Sequence, residues 1–305
     1  MKELSLFEEP IQGKPFLKWA GGKGQLIDAI SAHLPNMDNI DTYVEPFIGS
    51  GAVMFWLVSN YPNIKQVVIN DLNTELVNLY QIIKYDVEGL ITELKALDSE
   101  YKARPTQEER SEYYYQIRVE YNARDLASRE RNVRLAALFI FLNRTCFNGL
   151  YRVNGKNLFN VPFGKYANPK ICDEDNLRND SALLQKVEIL NGDYAETLQY
   201  LSERTFYYLD PPYKPISETS SFNSYSSMSF DDEQQIRLKG FCDAINAHNG
   251  KFMLSNSDPK SVDDTNTFFD DLYRDYNINR VLAKRNINAK GNKRGEINEL
   301  LITNF

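Results

Sequence analysis

Asp210-Pro211-Pro212-Tyr213 has the residue types and order needed to act on a poorly nucleophilic nitrogen. It follows Phe206–Leu209, an apolar run that reads as a strand, and the two prolines end that strand abruptly. Proline lacks a backbone N–H, so the turn leaves carbonyls unused and aimed outward. An exocyclic ring amine reacts poorly because its lone pair is delocalised into the ring. Two acceptors on its hydrogens, the Asp210 carboxylate and the Pro211 carbonyl, would draw the nitrogen toward tetrahedral geometry. They would also stabilise the positive charge that develops. Tyr213 can stack on the ring, and placing a methyl donor in line supplies the rest as proximity. With two histidines and three widely spaced cysteines (Cys146, Cys172, Cys242), the composition points away from a metal site or a His-based triad. The cysteines read as free thiols of a reducing cytosol.

Two glycine-bearing segments point to the donor. Glu45-Pro-Phe47-Ile-Gly49-Ser-Gly51 lies between a strand and an apolar helix, where glycines let a ligand approach the backbone. Asp71 ends the next strand, placed to accept from ribose hydroxyls. A dinucleotide site would want a third glycine where Met54 stands. Carboxylates at strand ends (Glu45, Asp71, Asp193) repel phosphates and suit a ligand carrying an amine and a sulfonium, which is S-adenosylmethionine. Upstream, Lys18-Trp19-Ala-Gly-Gly-Lys23 forms a second loop. There Lys23 could meet the ligand's carboxylate and Trp19 could cover a ring surface.

The elements that must hold these residues alternate between helix and strand. The pattern gives strands at Thr42–Glu45, Gln66–Asn70, Val187–Leu190, Phe206–Leu209, Lys251–Leu254 and Leu300–Thr303, with helices over Glu75–Lys84 and Asp231–His248. That is an α/β chain with a parallel sheet. Residues 87–186 break the alternation. They are helical up to Leu142, and then Asn148-Gly149 and Asn154-Gly155 bracket an alternating stretch, a hairpin signal. The expected organisation is a catalytic part at 1–86, an inserted basic domain at 87–186 and a second catalytic part at 187–305. Lys214–Ser229 reads as a polar loop whose Lys214, Phe222 and Tyr225 could hold a displaced base or its backbone.

The net charge of −7 argues weakly against a polyanion partner, but its distribution argues for one. Between Arg118 and Lys170 stand ten bases and three acids, and between Arg280 and Arg294 six bases and no acid. The longest apolar run, Leu135–Leu142, falls far short of the roughly 20 residues of a membrane span. Met1–Pro10 carries three glutamates and reads as no secretory leader.

These motifs, with Asn70-Asp-Leu-Asn, Phe147-Asn-Gly-Leu-Tyr-Arg-Val-Asn and Phe159-Asn-Val-Pro-Phe-Gly-Lys-Tyr166, stand in the order found in Dam-like, DpnII-type (D12 class) DNA adenine-N6 methyltransferases. The resemblance runs from about Pro15 to the C-terminus. It implies a Rossmann-like sheet using S-adenosylmethionine, with a mostly helical target-recognition insert. By position it implies cofactor contacts at Trp19, Lys23, Asp71 and Asp210, with Phe47, Gly49 and Gly51 in the glycine loop and Asp210, Pro211, Pro212 and Tyr213 as the catalytic tetrapeptide. It implies DNA contacts at Lys18, Asn148, Leu150, Arg152, Pro162 and Tyr166, used by such enzymes to read GATC. Phe147 stands where some relatives have Tyr, which removes a polar contact, and Asn286–Arg294 is expected to touch phosphates alone. The partner expected is double-stranded DNA, reached by flipping the base at about a few kcal/mol. A cognate restriction endonuclease would act on the same site without a stable complex, and the default state is a monomer. RNA adenine or protein glutamine methylation, a DNA-binding protein with a decayed site, and a nicotinamide oxidoreductase are the competing readings. The basic insert favours duplex DNA, the intact tetrapeptide opposes decay, and Met54 opposes the oxidoreductase.

Overall fold

The computed structural model describes residues 11–19, 21–213, 230–284 and 296–305. Among them, β1 (Thr42–Glu45), β2 (Gln66–Asp71), β3 (Val187–Asn191), β4 (Thr205–Leu209), β5 (Lys251–Ser257), β6 (Asn277–Lys284) and β7 (Glu296–Thr303) form one sheet, in the order β3-β2-β1-β4-β5-β7-β6. The first five strands of that order are parallel, and β7 runs antiparallel to both β5 and β6. The central strands Thr-Tyr-Val-Glu and Thr-Phe-Tyr-Tyr-Leu are buried along their whole length, as strands covered on both faces must be.

Strand alternation divides the core in two. Tyr43, Val67, Ile69, Phe206 and Tyr208 face one way. They pack with α2 (Ala52–Asn60), α3 (Thr74–Tyr85) and α7 (Glu174–Leu184). Val44, Val68, Tyr207, Leu209 and Phe252 face the other way, toward α8 (Asp232–Ala247) and α9 (Phe268–Leu272). A short α1 (Ile27–Ala32) precedes β1.

The span expected as an insert contains α4 (Val87–Lys102), α5 (Gln107–Asn122) and α6 (Val133–Thr145), and also α7. Thr106 and Glu109 close a reciprocal capping box at the start of α5. Helix α6 is buried from Ala136 to Asn143, and Tyr101, Tyr114, Phe139 and Phe141 join the core that covers one face of the sheet. The insert therefore shares a hydrophobic core with the sheet. No helix among the described residues is long and apolar enough to cross a membrane.

Three features depart from the expectations. Neither β6 nor α7 was expected from the pattern. The expected hairpin is an irregular loop held by two isolated antiparallel bridges, Cys146 with Phe163 and Val153 with Phe159. Its first Asn-Gly pair forms a 3-10 turn with Asn148 at φ 56°, and Asn154 Oδ1 accepts from the N–H groups of Lys156 and Leu158 at the far end.

Candidate active site

The chain steps outward from β1 to β2 and β3, then returns to β4 on the other flank of β1. That reversal opens a crevice at the carboxyl ends of β1 and β4, where ligands of open α/β sheets bind. Those two ends carry the glycine loop and the Asp-Pro-Pro-Tyr turn.

The loop is built around left-handed glycines, Gly49 at φ 48° and Gly51 at φ 70°. A Cβ at Gly51 would lie 2.6 Å from the Tyr80 hydroxyl, and one at Gly49 would lie 3.1 Å from the Trp19 indole nitrogen. The Gly49 N–H donates to Asp71 Oδ2 at 3.2 Å, and its carbonyl accepts from the Tyr80 hydroxyl at 3.0 Å. The other Asp71 oxygen accepts from the Asn73 N–H at 2.9 Å. Burial raises the proton affinity of Asp71 against these bonds. Asn70 aligns the strand ends by donating to the Pro46 and Gly192 carbonyls, each at 3.0 Å.

Glu45 does not stand at an open rim. It is 3% exposed, accepts from the Tyr43 hydroxyl at 2.6 Å, and burial pushes its proton affinity well above the usual carboxylate range. Asp193 follows β3 and is gripped by Arg237 through two contacts of 2.8 Å, which hold its carboxyl below its ordinary range. The Phe47 ring packs near Tyr194 and Phe230, with centroids 5.1 and 6.1 Å away.

Lys23 has a partner other than the expected one. It is 5% exposed, and its Nζ lies 2.9 Å from Asp210 Oδ1 and 4.5 Å from the centre of the Tyr213 ring. The Tyr213 hydroxyl donates to Glu299 Oε2 on β7 at 2.7 Å. The tyrosine is thus held at one face by an ammonium and at its tip by a carboxylate. The Pro212 carbonyl accepts from the buried Gln235 at 3.4 Å. Burial pushes the Asp210 carboxyl up to about 6; Lys23 opposes the rise and Glu299 adds to it. The Asp210 side chain keeps 22% of its surface open.

A second cluster gathers the expected DNA contacts around the irregular loop. Lys18 is exposed with its Nζ 4.6 Å from the Tyr166 ring centre, and Gly149 packs against its stem. Asn143 fastens Lys18 to the loop by bonding the Lys18 N–H, the Lys18 carbonyl and the Gly149 carbonyl. The Phe147 N–H donates to the Pro162 carbonyl at 2.8 Å. Asn148, Arg152 and Pro162 are exposed and Leu150 is half-buried. Arg152 Nε donates to Asn160 Oδ1 at 2.7 Å.

The basic zones contain fewer free cations than the sequence count implied. Arg124 pairs with Glu75, Arg134 with Glu93 and Glu120, and Lys170 with Asp173. Arg280 is committed to Asp258 and Asp270. Lys214, Phe222, Tyr225 and Asn286–Arg294 lie outside the described residues. Sequence reasoning assigned no role to Glu299, to Gln235 or to Leu72, which is 57% exposed beside Asp71.

Residues 19–287 match the family model described as D12 class N6 adenine-specific DNA methyltransferase. The Type II methyltransferase M.MjaIII of Methanocaldococcus jannaschii is 48% identical over 96% of this chain and 99% of its own length. The Type II methyltransferase M1.LlaDCHI of Lactococcus lactis subsp. cremoris is 37% identical over 98% of each chain. A DNA adenine methylase of Haemophilus influenzae is 34% identical over 95% of this chain and 93% of its own. With the two motifs meeting at one crevice and relatives matching along nearly the whole chain, this protein belongs to the D12 class N6 adenine-specific DNA methyltransferases.

Proposed function

We propose that the chain methylates N6 of adenine in double-stranded DNA at GATC, with the base flipped out, as a monomeric modification enzyme of a restriction-modification system. The observation that carries the reading is that the neighbouring β1 and β4 bring the glycine loop and Asp210 to the same end of the sheet at its reversal point, with Lys23 of the upstream loop paired to Asp210. The names of the two Type II relatives support the modification role.

The loop residues fit S-adenosylmethionine. Gly49 and Gly51 take the left-handed turn that lets the loop pack against Trp19 and Tyr80, where a Cβ would clash, and Asp71 offers a carboxylate at its edge. Trp19, Lys23, Phe47, Asp193 and Asp210 line the same carboxyl-end side, with Glu45 buried beneath. When bound, S-adenosylmethionine supplies an electrophilic methyl group. Asp210 and the Pro211 carbonyl accept from the two amine hydrogens and localise the nitrogen lone pair. With Lys23 on one face, Tyr213 offers its other face to the adenine. The raised proton affinity of Asp210 lets it receive the proton the nitrogen sheds. Phe147, an exposed ring on the irregular loop, is the candidate to fill the gap a flipped base leaves.

Methyl transfer from labelled S-adenosylmethionine to long duplex DNA, with single-base mapping, tests the reading. Methyladenine confined to GATC is expected; another motif would overturn the specificity, and no transfer to DNA would overturn the substrate. The acceptor form of Asp210 is its carboxylate, lost as pH falls. The acidic limb of kcat/KM should therefore centre near pH 6. Glu299→Gln removes a charge that raises Asp210, so the limb should move to lower pH. A limb that stays put would show that Glu299 does not act on Asp210.

A further inference from the structure

A buried chain of polar contacts runs from the end of β2 to Arg152, and the chemistry proposed above does not use it. Arg124, with 4% of its side chain exposed, pairs at 2.7 Å with Glu75, in the first turn of α3 just past Asp71. The same guanidinium reaches the Asn157 carbonyl at 2.8 Å, in the far arm of the recognition loop, and lies over the Tyr121 ring at 4.4 Å. Next to it, Asn122 grips Phe159 at both backbone groups, donating to the carbonyl at 2.9 Å and accepting from the N–H at 2.8 Å. The following residue is Asn160, whose side chain holds Arg152 and whose N–H donates to the Arg152 carbonyl. On the near arm, Tyr151 is 2% exposed and stacks on Trp19 at 5.6 Å.

A buried ion pair is weak evidence for stability, because desolvating two charges offsets much of their attraction. Its best-attested use is to fix one arrangement among several. Here the pair ties the far arm of the loop to the helix that starts at the cofactor edge. The loop has two isolated bridges and no regular ladder to set its register.

We infer that Asn122 and Arg124, with Glu75 as anchor, are positioning residues that aim Arg152 at its base. They set sequence discrimination without touching DNA. This rests on the reading of Arg152 as the guanine reader. Lysine at position 124 keeps a charge for Glu75 but, as a compact point charge, cannot also span to the Asn157 carbonyl in a planar fork.

The test compares kcat/KM on a GATC duplex with kcat/KM on duplexes changed at one base pair, for wild type, Arg124→Lys, Asn122→Ala and Arg152→Ala. Thermal unfolding and S-adenosylhomocysteine binding are measured alongside. A merely structural defect lowers the active fraction, and that cancels in the ratio of the two substrates. Arg124→Lys and Asn122→Ala should each lower the ratio by about tenfold, part of what one bidentate arginine contributes. Cofactor-product affinity should stay within about twofold, since no contact of these residues reaches Gly49 or Asp210 directly. If Arg152→Ala lowers the ratio and the other two leave it unchanged, the positioning inference fails and the base-reading assignment stands. If all three leave it unchanged, both fail.

Discussion

Asp210→Ala should lower the single-turnover rate of methyl transfer by roughly 10³-fold, the upper end for losing one preorganised electrostatic group. Affinity for duplex DNA should stay within a few-fold of wild type, because the Asp210 carboxylate is paired with Lys23 and is not among the residues proposed to read the DNA. Asp210→Asn should fall between the two. It keeps one carbonyl acceptor and loses the charge that meets the developing positive nitrogen. The asparagine variant should also lose the acidic limb near pH 6, since the titrating group is gone. Both variants leave the Lys23 ammonium, 5% exposed, without the carboxylate charge it meets at 2.9 Å, so S-adenosylhomocysteine binding serves as the control for local collapse. Full turnover in the alanine variant at pH 8 would remove Asp210 from the chemistry. A preserved limb near pH 6 in the asparagine variant would assign that ionisation to another group.

The part of this site that could be read from the sequence is the part carried by local chain. Short strands running into Glu45, Asp71 and Asp210 announce themselves through β-branched and aromatic runs that stop at a carboxylate, with proline following Glu45 and Asp210. The crevice then follows once β1 and β4 are neighbours. Pairings made by distant parts of the chain were not readable. Lys23 and Arg280 read as free cations because Asp210, Asp258 and Asp270 come to them only in the folded chain. Glu299 gave no sign of its role, since its partner Tyr213 reaches it across β5 and β7. β6 was missed because Asn277, Asn279 and Arg280 interrupt its apolar pattern, and Leu282 is 66% exposed on its flank. Such a strand is held by pairing along all of β7, with Ile278 and Val281 partly buried against the two cores. α7 was missed because Glu174–Asp180 is mostly polar, although Asn176 and Asp180 are buried and grip the Lys14 backbone.

Arg152→Ala separates reading from holding. A guanidinium that meets a guanine edge by two parallel bonds adds about 1–3 kcal/mol of discrimination, or roughly 5- to 150-fold, and adds it only at the base pair it touches. One that meets a phosphate adds affinity on every sequence. Arg152 is exposed, and Asn160 restrains it twice, its side chain accepting from Nε at 2.7 Å and its carbonyl from Nη2 at 3.3 Å, which orients the planar fork and leaves Nη1 outside these contacts. Restraint of that kind favours reading, because a directional contact needs a fixed approach and a phosphate contact tolerates a loose one. The alanine variant should therefore keep its rate on GATC within reach of measurement while gaining relative activity on duplexes changed at one position of the site. Changes at the remaining positions should still be rejected as in wild type. Asn160→Ala, which removes the restraint on Nε and leaves the backbone carbonyl's contact with Nη2, should relax the same position by a smaller factor. Activity lost in equal proportion on every duplex would make Arg152 a phosphate contact. Relaxation spread over all positions would place the defect in the loop as a whole.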